Sequence, residues 1–264
     1  MNRGRFVAAA AACAATLHVQ GADVSWQAVA EVRHRTLSEW TGNGARLLSE
    51  RGPVARIDLS STLGGPEGPA VLVHGALAQG RLDYAGQDQG GVPLATTTRH
   101  SEWEAGLHWR PASVSAWGEF WVGIDGLRQR RDIASTPKAG GLDETSTLVL
   151  PGVRWRSAVF AVAPIAGLKF QLEAQWRTSA RHRISVDYLG AYDTSAFASG
   201  HRDEAALRLI ASNGSRWRWT LGFGRARQVA SDTAVLRIGG APVGSVREPA
   251  IRIDDLSLSV AREF

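Results

Sequence analysis

The chain has 264 residues, a formal net charge of +5 and a hydrophobic content of 44%. Its single cysteine, Cys13, lies near the start, so everything after it is excluded from disulfide frameworks and cysteine-ligated metal centres. No later stretch approaches 18 apolar residues, which excludes a transmembrane helix. The basic residues, nearly all arginine, are spread opposite acidic ones rather than clustered, which argues against a nucleic-acid surface.

Residues 1–21 form the first element. Arg3 and Arg5 make a basic start, and a short alanine-rich stretch runs from Phe6 to Val19. Val19-Gln20-Gly21 supplies compact residues where a signal peptidase reads. This is the layout of an export signal cleaved near Gly21–Ala22, and the stretch is too weak to anchor in hydrocarbon. Losing Arg3 and Arg5 takes the net charge from +5 to +3.

From residue 22 onward the dominant signal is period two, in segments long enough for a tilted membrane strand. The first, Ala22 to Arg35, sets Val24, Trp26, Ala28, Ala30 and Val32 against Ser25, Gln27, Glu31 and Arg33. The second, Pro53 to Thr62, and the third, Ala70 to Tyr84, are separated by the glycine- and proline-rich turn at Gly64–Pro69. The fourth, Arg99 to Arg110, alternates Trp103, Ala105, Leu107 and Trp109 with Glu102, Glu104 and His108. The fifth, predicted over Ser113 to Asp125, places Trp117, Glu119 and Trp121 on the inward face. The sixth spans Thr145 to Arg156. The seventh, Gly167 to Thr178, alternates without exception between Leu168, Phe170, Leu172, Ala174 and Trp176 and the polar series Lys169 to Arg177. The eighth runs from Asp203 to Ser212, Asn213-Gly214 signals a hairpin, and the ninth runs from Arg216 to Ala226. The last, Ile251 to Phe264, carries Leu256, Leu258 and Val260 on one face.

Connections after even strands are short, and those after odd strands are long and polar: Leu37 to Arg51, Gly86 to Thr98, Arg128 to Glu144, Ser179 to Arg202 and Arg227 to Pro249. Extra strand pairing is expected within Ser179 to Arg202. Short turns at one end and long loops at the other are the layout of an outer-membrane barrel. Hydrocarbon offers no partner for a free N–H or C=O, so a spanning sheet must close on itself. The reading is therefore all-β: residues 22–264 as a closed antiparallel transmembrane β-barrel of about ten strands, located in the bacterial outer membrane. Short turns face the periplasm and long loops the exterior. The rival is a soluble β-sandwich, which also alternates but would bury its tryptophan-bearing face.

The segment Leu256 to Phe264 resembles the outer-membrane assembly signal, a terminal phenylalanine preceded by alternate apolar residues. Arg262 departs from that pattern. The resemblance implies barrel-assembly machinery as a partner through Phe264, beside the outer-membrane lipids. Strand number and loop layout are also similar to the omptin family, ten-stranded outer-membrane proteases with an acidic pair facing an Asp–His pair across the outer rim. Here Asp83 has no second aspartate two residues on, and His201 and Asp203 stand in reversed order. The resemblance thus implies the architecture and leaves the catalytic set open.

The chemistry-bearing candidates lie at the outer rim: Asp83, Asp88, His100, His182, Asp187, His201 and Asp203. A carboxylate there could orient a histidine that activates water, with Asp83, His100, His201 and Asp203 as the catalytic set of an omptin-like protease. The commoner meaning of such residues is solvated loop polarity. His74 and His108 share the inward face without an evident third metal ligand, and the polar loop Asp83–Gly91 matches no calcium spacing. The leading expectation is a barrel without enzymatic activity or cofactor, whose loops contact envelope or external molecules. The protease is second, and a narrow pore is third because inward arginine, glutamate and tryptophan would fill the bore.

Overall fold

The computed structural model describes residues 24–65, 68–87, 92–111, 116–137, 139–161, 167–198 and 200–264. The expected export signal, residues 1–21, and Asp88 lie outside the described residues. Every regular element described is a strand. In chain order these are β1 (Val24–Trp40), β2 (Arg46–Leu63), β3 (Ala70–Gln87), β4 (Pro93–Arg110), β5 (Glu119–Ile133), β6 (Leu142–Arg156), β7 (Phe160–Ala161) and β8 (Lys169–Thr178). They continue with β9 (Arg181–Asp187), β10 (Ser195–Ala198), β11 (Arg202–Ser212), β12 (Trp217–Gln228), β13 (Thr233–Ile238), β14 (Ala241–Arg247) and β15 (Ala250–Glu263).

Ten of these form a closed antiparallel barrel in the order β6-β5-β4-β3-β2-β1-β15-β12-β11-β8, with β8 pairing back onto β6. Above that closure, β9 takes over the edge of β6, from Asp143 to Val149, and β10 pairs with β9. This is the additional pairing expected within Ser179 to Arg202. β13 and β14 form a separate hairpin between β12 and β15.

Side-chain alternation decides what each face meets. Leu77 is 61% exposed and Trp103 49%, whereas Glu102 and Glu104, next to Trp103 in sequence, are buried. The same inversion holds around the ring: Val32, Ile57, Leu107, Leu207, Leu221 and Leu258 point out, and charged residues point in. A sandwich would bury the first set. A continuous exposed apolar belt on a closed sheet is instead a lipid-facing surface. In β1 it runs from Val24 to Val32. At about 3.3 Å per residue and a tilt of about 40°, that height is roughly 20 Å. Trp26, Trp109 and Trp217 mark its short-turn end. Arg262, the departure from the terminal pattern, lies over the rings of Trp217 (5.4 Å) and Phe264 (5.1 Å), so its charge rests on the aromatic girdle.

Three sequence expectations are corrected. The long connections are largely strand: β1 extends to Trp40 and β2 starts at Arg46, leaving a tight turn closed by Thr41 N–H donating to the Ala45 carbonyl at 2.9 Å. Above the lipid belt the outward positions become His34, Thr36 and Ser38. Pleating continues there, but the apolar positions change sides: Leu37 turns inward and packs with Leu48, Tyr84, Ile133, Ile251 and Ile253, so the period-two signal changes phase and the strand extension is not read. The fifth strand begins at Glu119 and ends at Ile133. Its expected beginning, residues 113–115, lies outside the described residues. Trp117, expected inside, is 80% exposed, and its carbonyl accepts the Trp155 indole N–H at 3.1 Å. Gly118 adopts φ +111°, and that reversal breaks the alternation counted through Trp117. Trp121 does face inward, 5.2 Å beneath the Arg110 guanidinium.

Candidate functional site

The bore is a stack of charged layers. Nearest the short turns, Arg110 donates to Glu119 (2.6 Å), and Arg156 bridges Glu119 (3.2 Å) and Glu173 (2.8 Å). One layer up, Arg177 reaches Glu104 (2.6 Å), Asp125 (3.0 Å) and Glu204 (2.5 Å), while Arg56 binds Glu104 (3.0 Å) and Asp58 (3.1 Å). Higher still, Arg35 of β1 pairs with Glu102 of β4 and Asp255 of β15, and Gln129 of β5 links Glu102 to Arg202 of β11. Uppermost, Arg131 of β5 gathers Glu39 (2.7 Å), Glu50 (2.9 Å) and Glu144 (2.8 Å). The lower layers surround a cavity of about 540 Å³, which extends from Ser25 and Glu263 up to Arg35 and Gln129.

These layers follow from sequence periodicity: each inward charge is one step of alternation from a lipid-facing residue. Their pairing follows from desolvation, because a buried charge without a partner costs several kcal/mol. At the top, Glu248 sits between β14 and β15, outside the lipid belt, buried with one carboxylate oxygen unpartnered. Burial, with Glu144 and Glu39 beside it, pushes its carboxyl well above the usual range.

The rim candidates are not brought together as a set. Asp83 points outward and exposed from β3. His100 points inward and is 3% exposed; its Nε2 contacts Glu102 (2.9 Å) and Arg35 (2.6 Å). His201 and Asp203 are paired, at 2.8 Å, and Thr178 Oγ1 lies 2.9 Å from the same His201 nitrogen; both residues are exposed. β3 and β11 stand five steps apart around the ten-strand ring, on opposite sides of the barrel. His182 faces inward to Ser146 (3.1 Å), and Asp187 caps its own turn by accepting the Leu189 N–H (2.9 Å).

Sequence reasoning missed one convergence. His74 and His108 are joined by Asp125 of β5, whose Oδ1 lies 2.9 Å and 2.8 Å from their Nε2 atoms. The signal was available, since Asp125 carries the inward phase of its strand, but pairing order among three strands is not readable from alternation alone.

A closed antiparallel barrel with an apolar belt, an aromatic girdle and an ion-paired bore is the architecture of the bacterial outer-membrane barrels. No protein-family model matches the chain, and no curated protein does. Among solved structures it is similar to the outer membrane protease OmpT from Escherichia coli, with a TM-score of 0.55 and 10% identity over 91% of this chain and 96% of that one. It also aligns with the translocator domain of autotransporter NalP from Neisseria meningitidis (TM-score 0.48, 9% identity, 91% and 88% covered). A third is the β domain of the Bordetella autotransporter BrkA (TM-score 0.44, 14% identity, 92% and 100% covered). At such identities the likeness is one of fold: an outer-membrane β-barrel resembling the omptin-like barrels.

Proposed function

We propose that the chain resides in the bacterial outer membrane as a non-conducting, non-enzymatic barrel whose strand-built rim contacts envelope or external molecules. The observation that carries this reading is the charge-filled bore: the Arg35–Glu102–Asp255 and Arg131–Glu39–Glu50–Glu144 groups cross the upper half, joining strands three and four steps apart around the ring. Planar-bilayer recording tests it. The purified mature barrel is expected to show no steady conductance, and a reproducible open channel would overturn the reading. Assembly through Phe264 is part of the same proposal. Its deletion is expected to lower the amount of folded barrel in outer-membrane fractions, and unchanged levels would reject that role.

The omptin-like protease remains the alternative, favoured by the exposed His201–Asp203 pair at 2.8 Å. It predicts peptide cleavage abolished by His201→Ala. Against it stand the outward direction of Asp83, which turns away from the mouth of the bore, and the burial of His100 inside it.

A further inference from the structure

We propose that His74, His108 and Asp125 form a binding site for a zinc-type divalent metal ion, reached from the cavity in the lower bore. Three strands supply the ligands: His74 from β3, His108 from β4 and Asp125 from β5. Their donor atoms lie within 4.8 Å of one another. Both imidazole Nε2 atoms approach the same carboxylate oxygen, Oδ1, at 2.9 and 2.8 Å, while Oδ2 is held by Arg177 at 3.0 Å. A carboxylate that offers one oxygen to a point shared by two imidazoles, its other oxygen fixed elsewhere, has the form of a monodentate ligand.

The surroundings fit this assignment. His74 Nδ1 faces Asp58 Oδ2 at 3.5 Å. That carboxylate–histidine arrangement orients the ring and turns Nε2 toward a metal. Asp58, Glu104 and Asp125 share two guanidiniums, Arg56 and Arg177, and Arg177 is also bound to Glu204. Glu204 is shared with Arg202 as well, at 2.6 Å, so four carboxylates face three guanidiniums, and a cation would complement the layer. Glycines leave the room: a Cβ at Gly106 would come within 1.9 Å of Asp125 Oδ1 and 2.2 Å of His74 Nε2, and one at Gly123 within 2.3 Å of His108 Nδ1. His74 lines the cavity, so an ion and a water ligand have an approach. Two nitrogens and one oxygen are a borderline donor set suited to zinc. Bond lengths of about 2.0–2.2 Å with tetrahedral angles separate ligand atoms by roughly 3.3 Å. Each imidazole nitrogen would need to part from Asp125 Oδ1 by only about 0.5 Å.

The test uses the full mature chain, folded in detergent and stripped with chelator. Zn²⁺ is titrated by calorimetry, and Co²⁺ is added as a visible-light reporter of coordination. One ion per chain is expected, with the intense absorption of tetrahedral Co²⁺. His108→Ala and His74→Gln should lose stoichiometric binding, and His201→Ala should keep it. Asp58→Asn should weaken it about 10- to 100-fold by removing the orienting partner. The glutamine of His74→Gln still donates toward Asp125, so loss of the ion in a variant that migrates as a folded barrel separates ligation from folding. A wild-type barrel that takes up no ion, or binding undiminished in His108→Ala or His74→Gln, overturns the proposal.

Discussion

Adding one methyl group at three glycines on the same stretch of wall tests which face is which. Gly75, Gly106 and Gly126 lie on adjacent strands, within one residue of each other along the ladder. Gly106 faces the bore, and an alanine Cβ there would meet Asp125 Oδ1 at 1.9 Å and His74 Nε2 at 2.2 Å. Ordinary contact needs well over 3 Å, so both groups must retreat by more than an ångström, and their 2.9 Å hydrogen bond breaks. Losing a charged hydrogen bond costs about 1.5–3 kcal/mol, and overpacking adds about 1–3 kcal/mol. Relief of glycine's backbone entropy returns about 0.5–1 kcal/mol. Gly106→Ala is therefore expected to destabilise the barrel by roughly 2–5 kcal/mol. At Gly75 and Gly126 the new Cβ points to lipid and meets only a carbonyl oxygen, at 3.9 Å. Gly75→Ala and Gly126→Ala should be neutral or stabilising by up to about 1 kcal/mol. Equilibrium unfolding in detergent, followed by tryptophan fluorescence, reads all three. Equal effects, or a greater loss at Gly75 than at Gly106, would refute the assignment of faces.

The lipid belt predicts that Leu221→Arg, at a position 55% exposed between Trp219 and Phe223, costs about 2–4 kcal/mol in a bilayer; an effect below about 0.5 kcal/mol, the size of an ordinary surface change, would place Leu221 in water. Glu248 predicts the sign of a pH effect. Its folded carboxyl is held well above the usual range, so the native chain keeps a proton that the unfolded chain releases. Stability should then fall as pH rises from the ordinary carboxylate range toward that raised value, and Glu248→Gln should flatten the slope. A wild-type slope that the variant retains would assign the effect elsewhere. Arg131→Met strands Glu39, Glu50 and Glu144 without their shared guanidinium, and breaking such a buried pair costs about 3–5 kcal/mol. Denaturant unfolding within 1 kcal/mol of wild type would show that those carboxylates have other partners.

What was legible in the sequence was what alternation encodes. The run from Gly167 to Thr178 names its lipid face without ambiguity, and Asn213-Gly214 forms the hairpin it signals, with Gly214 at φ +79°. Ring closure followed from the chemistry of hydrocarbon. The upper strand extensions were hidden because His34, Thr36 and Ser38 turn outward while Leu37 turns in to the apolar cluster of the upper bore, so the apolar phase reverses midway along the strand. Site geometry was hidden for a different reason. Asp83 and His201 can both be assigned to the outer end of the wall from sequence. Their separation by five strands follows from the expected sequential ten-strand ring, and the structure has it so. The Asp125 link between His74 and His108 required three strand registers at once.

The bore's ion pairs act as chords across the ring. Backbone ladders join only neighbouring strands, yet Arg35 ties β1 to β4 and β15, Arg131 ties β5 to β1, β2 and β6, and Arg177 ties β8 to β4, β5 and β11. Buried ion pairs contribute little net stability against an apolar filling. An apolar filling, however, would leave both faces of every strand hydrophobic and erase the alternation that distinguishes lipid from lumen. A one-residue slip of any strand now places charges in hydrocarbon and leaves their partners unpaired, so the chords penalise every wrong register from both sides. A wall fixed in that way can hold two imidazoles and a carboxylate from three strands at 2.8–2.9 Å. The rim's outward pairs among the described residues, such as His201–Asp203 and Arg130–Asp143, stay within one strand end or between neighbouring strands. Rigidity, and with it any capacity for defined coordination chemistry, is concentrated inside the barrel rather than at its mouth.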